Sequence, residues 1–439
     1  MEVKLVPVAR RPKPAREIPD RWSWIEPSVW TDQMLLALER GVKNGKWHSL
    51  IDKVYRPTTL ALAFDAVKRN KGAAGVDKVS IEKFRRHRDS NLMKLSELLE
   101  TNRYQPQCVR RVWITKPGKT EQRPLGIPTV RDRVVQSALR MVVEPIFENE
   151  FSEHSYGFRP KRGCKDALRG VWNLLQEGYR YVLDADLKGY FDTIDHEILM
   201  QLVRSKIADN RILELIQSYL NQKVMETSRS WTPESGTPQG AVISPLLANI
   251  YLNPLDHKMA NDGYKMIRYA DDFVILCKSR KEAETALSIV KLWCEEMKLT
   301  LHPDKTKVVS CDEEGFEFLG YRFHKNNKYV CKKNIQRLRS KVSKYTRRNN
   351  AHSMATIISF INPIIRGWFE YYKHSHISDS IGVDGWIRMR LRSIKRKRNG
   401  GRGRGRGMDN HKYPNTYFHE LGLFSLALNR EKAVARVRS

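Results

Sequence analysis

Two groups of carboxylates stand where short apolar runs end. Tyr269-Ala270-Asp271-Asp272 lies between Met266-Ile267-Arg268 and Phe273-Val274-Ile275-Leu276-Cys277. Upstream, Tyr181-Val182-Leu183 runs out into Asp184, Asp186 and Asp192. Runs this short, rich in β-branched and aromatic residues, predict strands, with the Asp271-Asp272 pair at a hairpin turn. Adjacent ionised carboxylates repel each other, so structure alone gives little reason for them. A divalent cation relieves the repulsion, and hard oxygen ligands suit Mg²⁺. A lone Asp-Asp is usually a surface turn; the second acidic strand changes that reading. With the two strands side by side, Asp186 joins Asp271 and Asp272 at one end of a sheet. Three such carboxylates can hold two Mg²⁺ ions, the arrangement for in-line phosphoryl transfer.

Other stretches carry groups suited to phosphates. Arg110 to Pro128 predicts a strand, a turn at Pro117-Gly118 and a return strand, with Lys116, Lys119 and Arg123 near the tip. Arg pairs with phosphate oxygens through a planar fork, and Lys acts as a point charge. Gly236-Thr237-Pro238-Gln239-Gly240 precedes Ser244-Pro245, which predicts a capped helix start with Pro in its first turn. A helix start presents unpaired N–H groups that attract phosphate. Glu282 to Lys298 has the spacing of an amphipathic helix covering a sheet.

The Tyr-Ala-Asp-Asp form, with Asp186-Leu187-Lys188-Gly189-Tyr190-Phe191-Asp192 upstream, resembles reverse transcriptases of the group II intron maturase family. That resemblance implies an α+β right-hand polymerase with fingers and palm, a helical thumb (maturase domain X) and a small basic C-terminal DNA-binding segment. It implies Asp186, Asp271 and Asp272 as catalytic metal ligands for two Mg²⁺ ions. Lys305, in Leu301-His302-Pro303-Asp304-Lys305-Thr306-Lys307, is the better match to a lysine approaching the leaving pyrophosphate, with Lys307 close behind. Lys116, Arg123, Leu187, Phe191 and Gln239 are implied at the deoxynucleotide. Phe191 falls where an aromatic crowds the sugar 2′-OH, the group that separates ribose from deoxyribose. Phe318, Leu319 and Gly320 resemble the hairpin that grips the primer terminus. Lys71-Gly72-Ala73-Ala74-Gly75-Val76-Asp77 resembles the start of the fingers. Ser155-Tyr156-Gly157-Phe158-Arg159-Pro160 is similar to a family segment, but its residue types assign it no chemistry.

The chain has 439 residues and a formal charge of +30, and 41% of its residues are hydrophobic. Size predicts two or three domains with substantial cores. The division expected is a helical N-terminal extension over 1–70, fingers and palm over 71–324, thumb over 325–395, and a basic DNA-binding segment over 396–439. From Lys325 onward there are 27 Lys and Arg against 6 Asp and Glu, a net +21, leaving +9 for the first 324 residues. So concentrated an excess fits a phosphate backbone. By resemblance Lys332, Lys333, Arg337, Arg366 and Trp368 hold RNA, and Arg402, Arg404 and Arg406 hold DNA. The Gly400 to Gly407 run, alternating Gly and Arg, reads as a flexible linker.

Six scattered cysteines without a Cys-x-x-Cys pair argue against a zinc site and against a disulfide framework. Cys277 and Cys294 read as packing. Many members of the family this chain resembles carry a C-terminal endonuclease with His and paired Cys ligands; this sequence departs from that pattern, so target-strand cleavage is not expected. No apolar run reaches membrane-span length, and Met1-Glu2-Val3-Lys4 opens no signal region. The expected place is the bacterial cytoplasm, at the nucleoid when acting on DNA, with no membrane partner. The expected activity is RNA-directed DNA synthesis, with binding of a group II intron RNA to assist splicing and retrohoming. Its partners would be intron RNA, an RNA template with DNA primer, target DNA and deoxynucleotides. Alternative readings are a related polymerase recruited to defence or repair, and a splicing factor that no longer polymerises. The latter predicts eroded carboxylates, whereas Asp186, Asp271 and Asp272 are all present.

Overall fold

The computed structural model describes residues 20–115, 122–226 and 229–438. Lys116 and Lys119 lie outside them. Four antiparallel strands make the palm sheet, in the order Lys265–Tyr269, Asp272–Cys277, Tyr181–Asp186, Lys307–Ser310. Tyr269 pairs with Asp272, so Ala270-Asp271 is the two-residue turn and Asp272 opens the returning strand. The expected turn is therefore offset by one residue. Asp186 pairs with Asp272, and Asp184 with Val274. Paired residues share a sheet face, as do residues two apart on a strand. Asp184, Asp186 and Asp272 therefore share one face, and Leu183, Ala185, Phe273 and Ile275 fill the main core from the other.

That core is built around helices Val130–Glu148 and Ser244–Asn261, both buried on most sides, and the amphipathic helix Arg280–Glu296. Cys277 and Cys294 are packed in it, as their context suggested. The helical pattern over 196–220 is two helices, His196–Arg204 and Asn210–Leu220. Asp209 breaks it by capping the second helix while its other carboxylate oxygen accepts from Leu50 N (2.7 Å) and Ile51 N (2.9 Å). Ser244 does not cap its helix. Its hydroxyl donates to Pro238 O (3.0 Å), fastening the Pro-Gln-Gly loop instead.

The two expected fingers strands pair, Val109–Thr115 against Gln122–Ile127, and the expected turn at Pro117-Gly118 lies outside the described residues. A short hairpin, Val224–Glu226 and Arg229–Trp231, widens its sheet. The glycine loop closes on this unit through Arg133 to Ala73 O (2.7 Å) and Arg110 to Ala74 O (2.7 Å).

The thumb helices Lys332–Tyr345, Met354–Tyr372 and Ile377–Arg398 share a core with the tail. Phe418, Leu423 and Leu426 are buried in it. Asp384 accepts from Ser425 Oγ (2.8 Å), Leu426 N (3.0 Å) and Ala427 N (3.1 Å). The Gly-Arg run is not a free linker. Gly405 N donates to Ser393 Oγ (2.9 Å), and Arg396 Nε donates to Arg402 O (2.7 Å). A Cβ at Gly405 would lie 2.5 Å from Arg392 Cβ, so only glycine lets the run lie this close, while Arg402, Arg404 and Arg406 face solvent. Among the described residues no helix is long and apolar enough to cross a membrane.

Removing residues from 408 onward strips buried side chains from the thumb. Limited proteolysis should then cut within 332–398 much faster than in the intact chain. Replacing Arg402, Arg404 and Arg406 by Gln should leave the cutting rate unchanged.

Candidate active site

The pairing of Asp186 with Asp272 is what assembles the acidic site, with Asp271 in the adjoining turn. Burial raises the Asp271 carboxyl, and the charge of Asp186 adds to it. Asp272 is pushed up to about 7 by burial and by Asp184, Asp271 and Asp186, with Lys333 opposing. Asp184 rises to about 6, mainly from burial, while Lys307 opposite it on the neighbouring strand pulls down. Lys305 Nζ sits on Asp186 Oδ2, which separates it from Lys307. The Lys305 loop is fixed beside the strand end, since His302 N donates to Asp186 O (2.7 Å).

Arg123 and Gln239, far apart in sequence, meet: Arg123 Nε donates to Gln239 Oε1 (2.6 Å). Gln239 Nε2 donates onward to Asp192 Oδ2 (3.1 Å). The loop carrying Gln239 is clamped on both sides, by Thr237 N to Phe191 O (2.7 Å) and by Gly126 N to Gln239 O (2.7 Å). Phe191 is 9% exposed, at the edge of the core beside Tyr190. The Leu187 side chain, read as a nucleotide contact, is buried in the core, so only its main chain remains for that role.

In the grip hairpin, Phe318 pairs with Tyr321, so Leu319-Gly320 is a two-residue turn, with φ of 47° and 82°. Two residues at positive φ match the twist of paired strands. Phe318 itself is buried. Tyr371 Oη donates to Leu319 O (2.9 Å), Tyr321 Oη to Tyr371 O (2.6 Å), and Asn334 Nδ2 to Gly320 O (3.2 Å). The hairpin is thereby tied to two thumb helices.

Residues 114–323 match the family described as reverse transcriptase (RNA-dependent DNA polymerase), and residues 335–411 match the group II intron maturase-specific domain. Protein YkfC of Escherichia coli K12 is 33% identical over 354 residues, 70% of this chain and 91% of that protein. Group II intron-encoded protein LtrA of Lactococcus lactis is 30% identical over 362 residues, 65% of this chain and 59% of LtrA. Nuclear intron maturase 4 of Arabidopsis thaliana is 28% identical over 233 residues, 51% of this chain and 27% of that protein. The chain belongs to the group II intron reverse transcriptase and maturase family. It is a reverse transcriptase with a maturase domain.

For this reverse transcriptase the donor chemistry fits Mg²⁺. The site offers only carboxylate oxygens that raise one another's proton affinity, and Lys305 supplies a positive charge to Asp186. Among the described residues no three His, Cys, Asp or Glu side chains are already gathered as a formed metal-binding group.

Lys333, read as an intron-RNA contact, is exposed, pairs with Glu317 (2.9 Å) and lies near enough to Asp272 to feel its charge. Lys332, Arg337 and Arg366 are exposed on the thumb, with Arg366 over the Phe424 ring at 5.1 Å. Trp368 lines a cavity with Arg337 and Lys341, and its buried Nε1 lacks a hydrogen-bond partner. Sequence reading gave no role to Asp184 or to Asp192. The two-residue spacing of Asp184 and Asp186 on a strand was the available signal for the first. Asp192 needed the fold.

Unfolded Asp272 releases its proton near 3.8, folded Asp272 only near 7. Stability from its raised proton affinity is therefore full below pH 3.8 and lost as pH rises through 7. In metal-free buffer Asp272→Asn should match the wild type at pH 4 and exceed it in melting temperature at pH 8. Mg²⁺ should narrow the gap at pH 8. A difference that does not change with pH would contradict this electrostatic reading.

Proposed function

We propose that the palm carboxylates catalyse extension of a DNA primer on an RNA template, and that the basic thumb and tail hold a group II intron RNA and its DNA target. The observation that carries this reading is Asp186 facing Asp272, with Asp271 in the adjoining turn. In the reaction the primer 3′-OH attacks the α-phosphate of a deoxynucleotide and pyrophosphate leaves. Asp186 and Asp271 would be the main ligands for two Mg²⁺ ions, with Asp272 supporting them. Such ions, when bound, would supply Lewis-acid stabilisation of the attacking and leaving oxygens.

The protein's own groups orient the substrate. Arg123 holds phosphate oxygens, and its bond to Gln239 fixes the fork in place before a nucleotide arrives. Lys116 would act beside it as a point charge. Phe191 limits space at the sugar, braced from behind by Tyr190. Lys305, exposed and paired with Asp186, can turn toward the charge of the departing pyrophosphate. The Leu319-Gly320 turn positions the primer end, with Lys333 beside it. Lys332, Arg337, Arg366 and Trp368 serve intron RNA, and Arg402, Arg404 and Arg406 serve DNA, which would bring the protein to the nucleoid.

Asp271→Asn should lower extension on a short RNA template by on the order of 10³-fold, because a metal ligand supports several kcal/mol of the barrier. Template affinity should stay near wild type. Full extension by the purified variant would sink the assignment. Phe191→Ala should raise ribonucleotide incorporation relative to deoxynucleotide incorporation. An unchanged ratio would leave Phe191 a packing residue.

A further inference from the structure

The Ser155-Tyr156-Gly157-Phe158-Arg159-Pro160 segment packs against the backbone of the acidic turn. Arg268 N donates to His154 O (2.9 Å) and Tyr156 N donates to Arg268 O (2.9 Å), so the segment runs along the outer edge of the palm strand. Gly157 lies directly on Ala270. A Cβ at position 157 would fall 2.2 Å from Ala270 N and 2.9 Å from Ala270 Cα. Arg159, itself buried, holds the segment in shape through Glu148 (2.7 Å) and Ser155 O (2.7 Å).

Behind the turn, Arg268 is completely buried. Its Nε donates to Asp256 Oδ1 (2.8 Å), and its Nη1 donates both to Asn249 Oδ1 (2.9 Å) and to Ala270 O (2.9 Å). Asn249 Nδ2 donates to Gly157 O (2.8 Å), which closes the ring of contacts. At its centre Ala270 has φ of 59°. A residue with a Cβ keeps that left-handed backbone only where its surroundings hold it there.

We propose that Arg268, Asn249 and Gly157 are positioning residues that hold Ala270 in its left-handed conformation and thereby aim Asp271 at the reacting phosphate. None of the three reaches the cleft; they act through the turn. This rests on the reading of Asp271 as catalytic.

Two variants test it. Arg268→Met combined with Asp256→Leu removes both buried charges together, so neither is left unpaired, but it also removes the tie to Ala270 O. Gly157→Ala removes no hydrogen bond or charge and only pushes on the turn. Each is measured for melting temperature, for kcat and nucleotide KM on a short annealed primer and template, and for Mg²⁺ half-saturation. Amide hydrogen exchange over 268–273 is followed without metal or substrate. The double variant should melt near the wild type, lose about 100-fold in kcat, and hold nucleotide KM within about twofold. Its half-saturating Mg²⁺ should rise, and Ala270 and Asp271 should exchange faster.

A folded double variant with wild-type kcat, Mg²⁺ requirement and exchange would make Arg268 a structural ion pair only, and would overturn the proposal. So would wild-type kcat and exchange in Gly157→Ala, which decides alone if the double variant does not fold. If the wild type itself extends no primer, the catalytic reading of Asp271 fails. The exchange rates still report whether the brace holds the turn.

Discussion

The palm sheet sets carboxylate against carboxylate. Its register places Asp186 opposite Asp272 and leaves Asp184 two residues behind on the same face. Negative charges held this close oppose folding unless something positive answers them. Lys305, Lys307 and Lys333 reach this cluster from three different elements. The protein thus keeps a local repulsion that a hard cation relieves better than any side chain does. The rest of the molecule holds that register against its own charge.

Strand alternation makes the arrangement strict. A one-residue slip would turn the acidic side chains into the main core and bring Leu183 and Ala185 out. Helix Ser244–Asn261 supports the register from behind, packing the apolar face and also carrying Asn249 and Asp256 for the buried Arg268.

Much of this was legible in residue order. Short apolar runs ending in Asp marked the palm strands, and Arg110 to Thr115 marked a strand of the fingers. What sequence could not show was pairing across long separations. Nothing local in Arg123, Asp192 and Gln239 says that they form one chain of hydrogen bonds. Ser244 looked like a helix cap because Ser-Pro is a common start, but its hydroxyl had a better use at Pro238 O. The Gly-Arg run looked like a linker because glycine cannot fill a core. Here its lack of a side chain is what allows close contact with a helix. Nor does anything local in Lys333 say that its charge is met by Glu317, sixteen residues earlier in the chain.

The grip hairpin is bonded to thumb helices through Tyr371, Tyr321 and Asn334, and its apolar side chains share a cluster with Trp368 and Tyr372. Hairpin and thumb are therefore joined by hydrogen bonds and by one packed cluster. The contacts that fix the turn's place beside the palm are thus the thumb's own side chains.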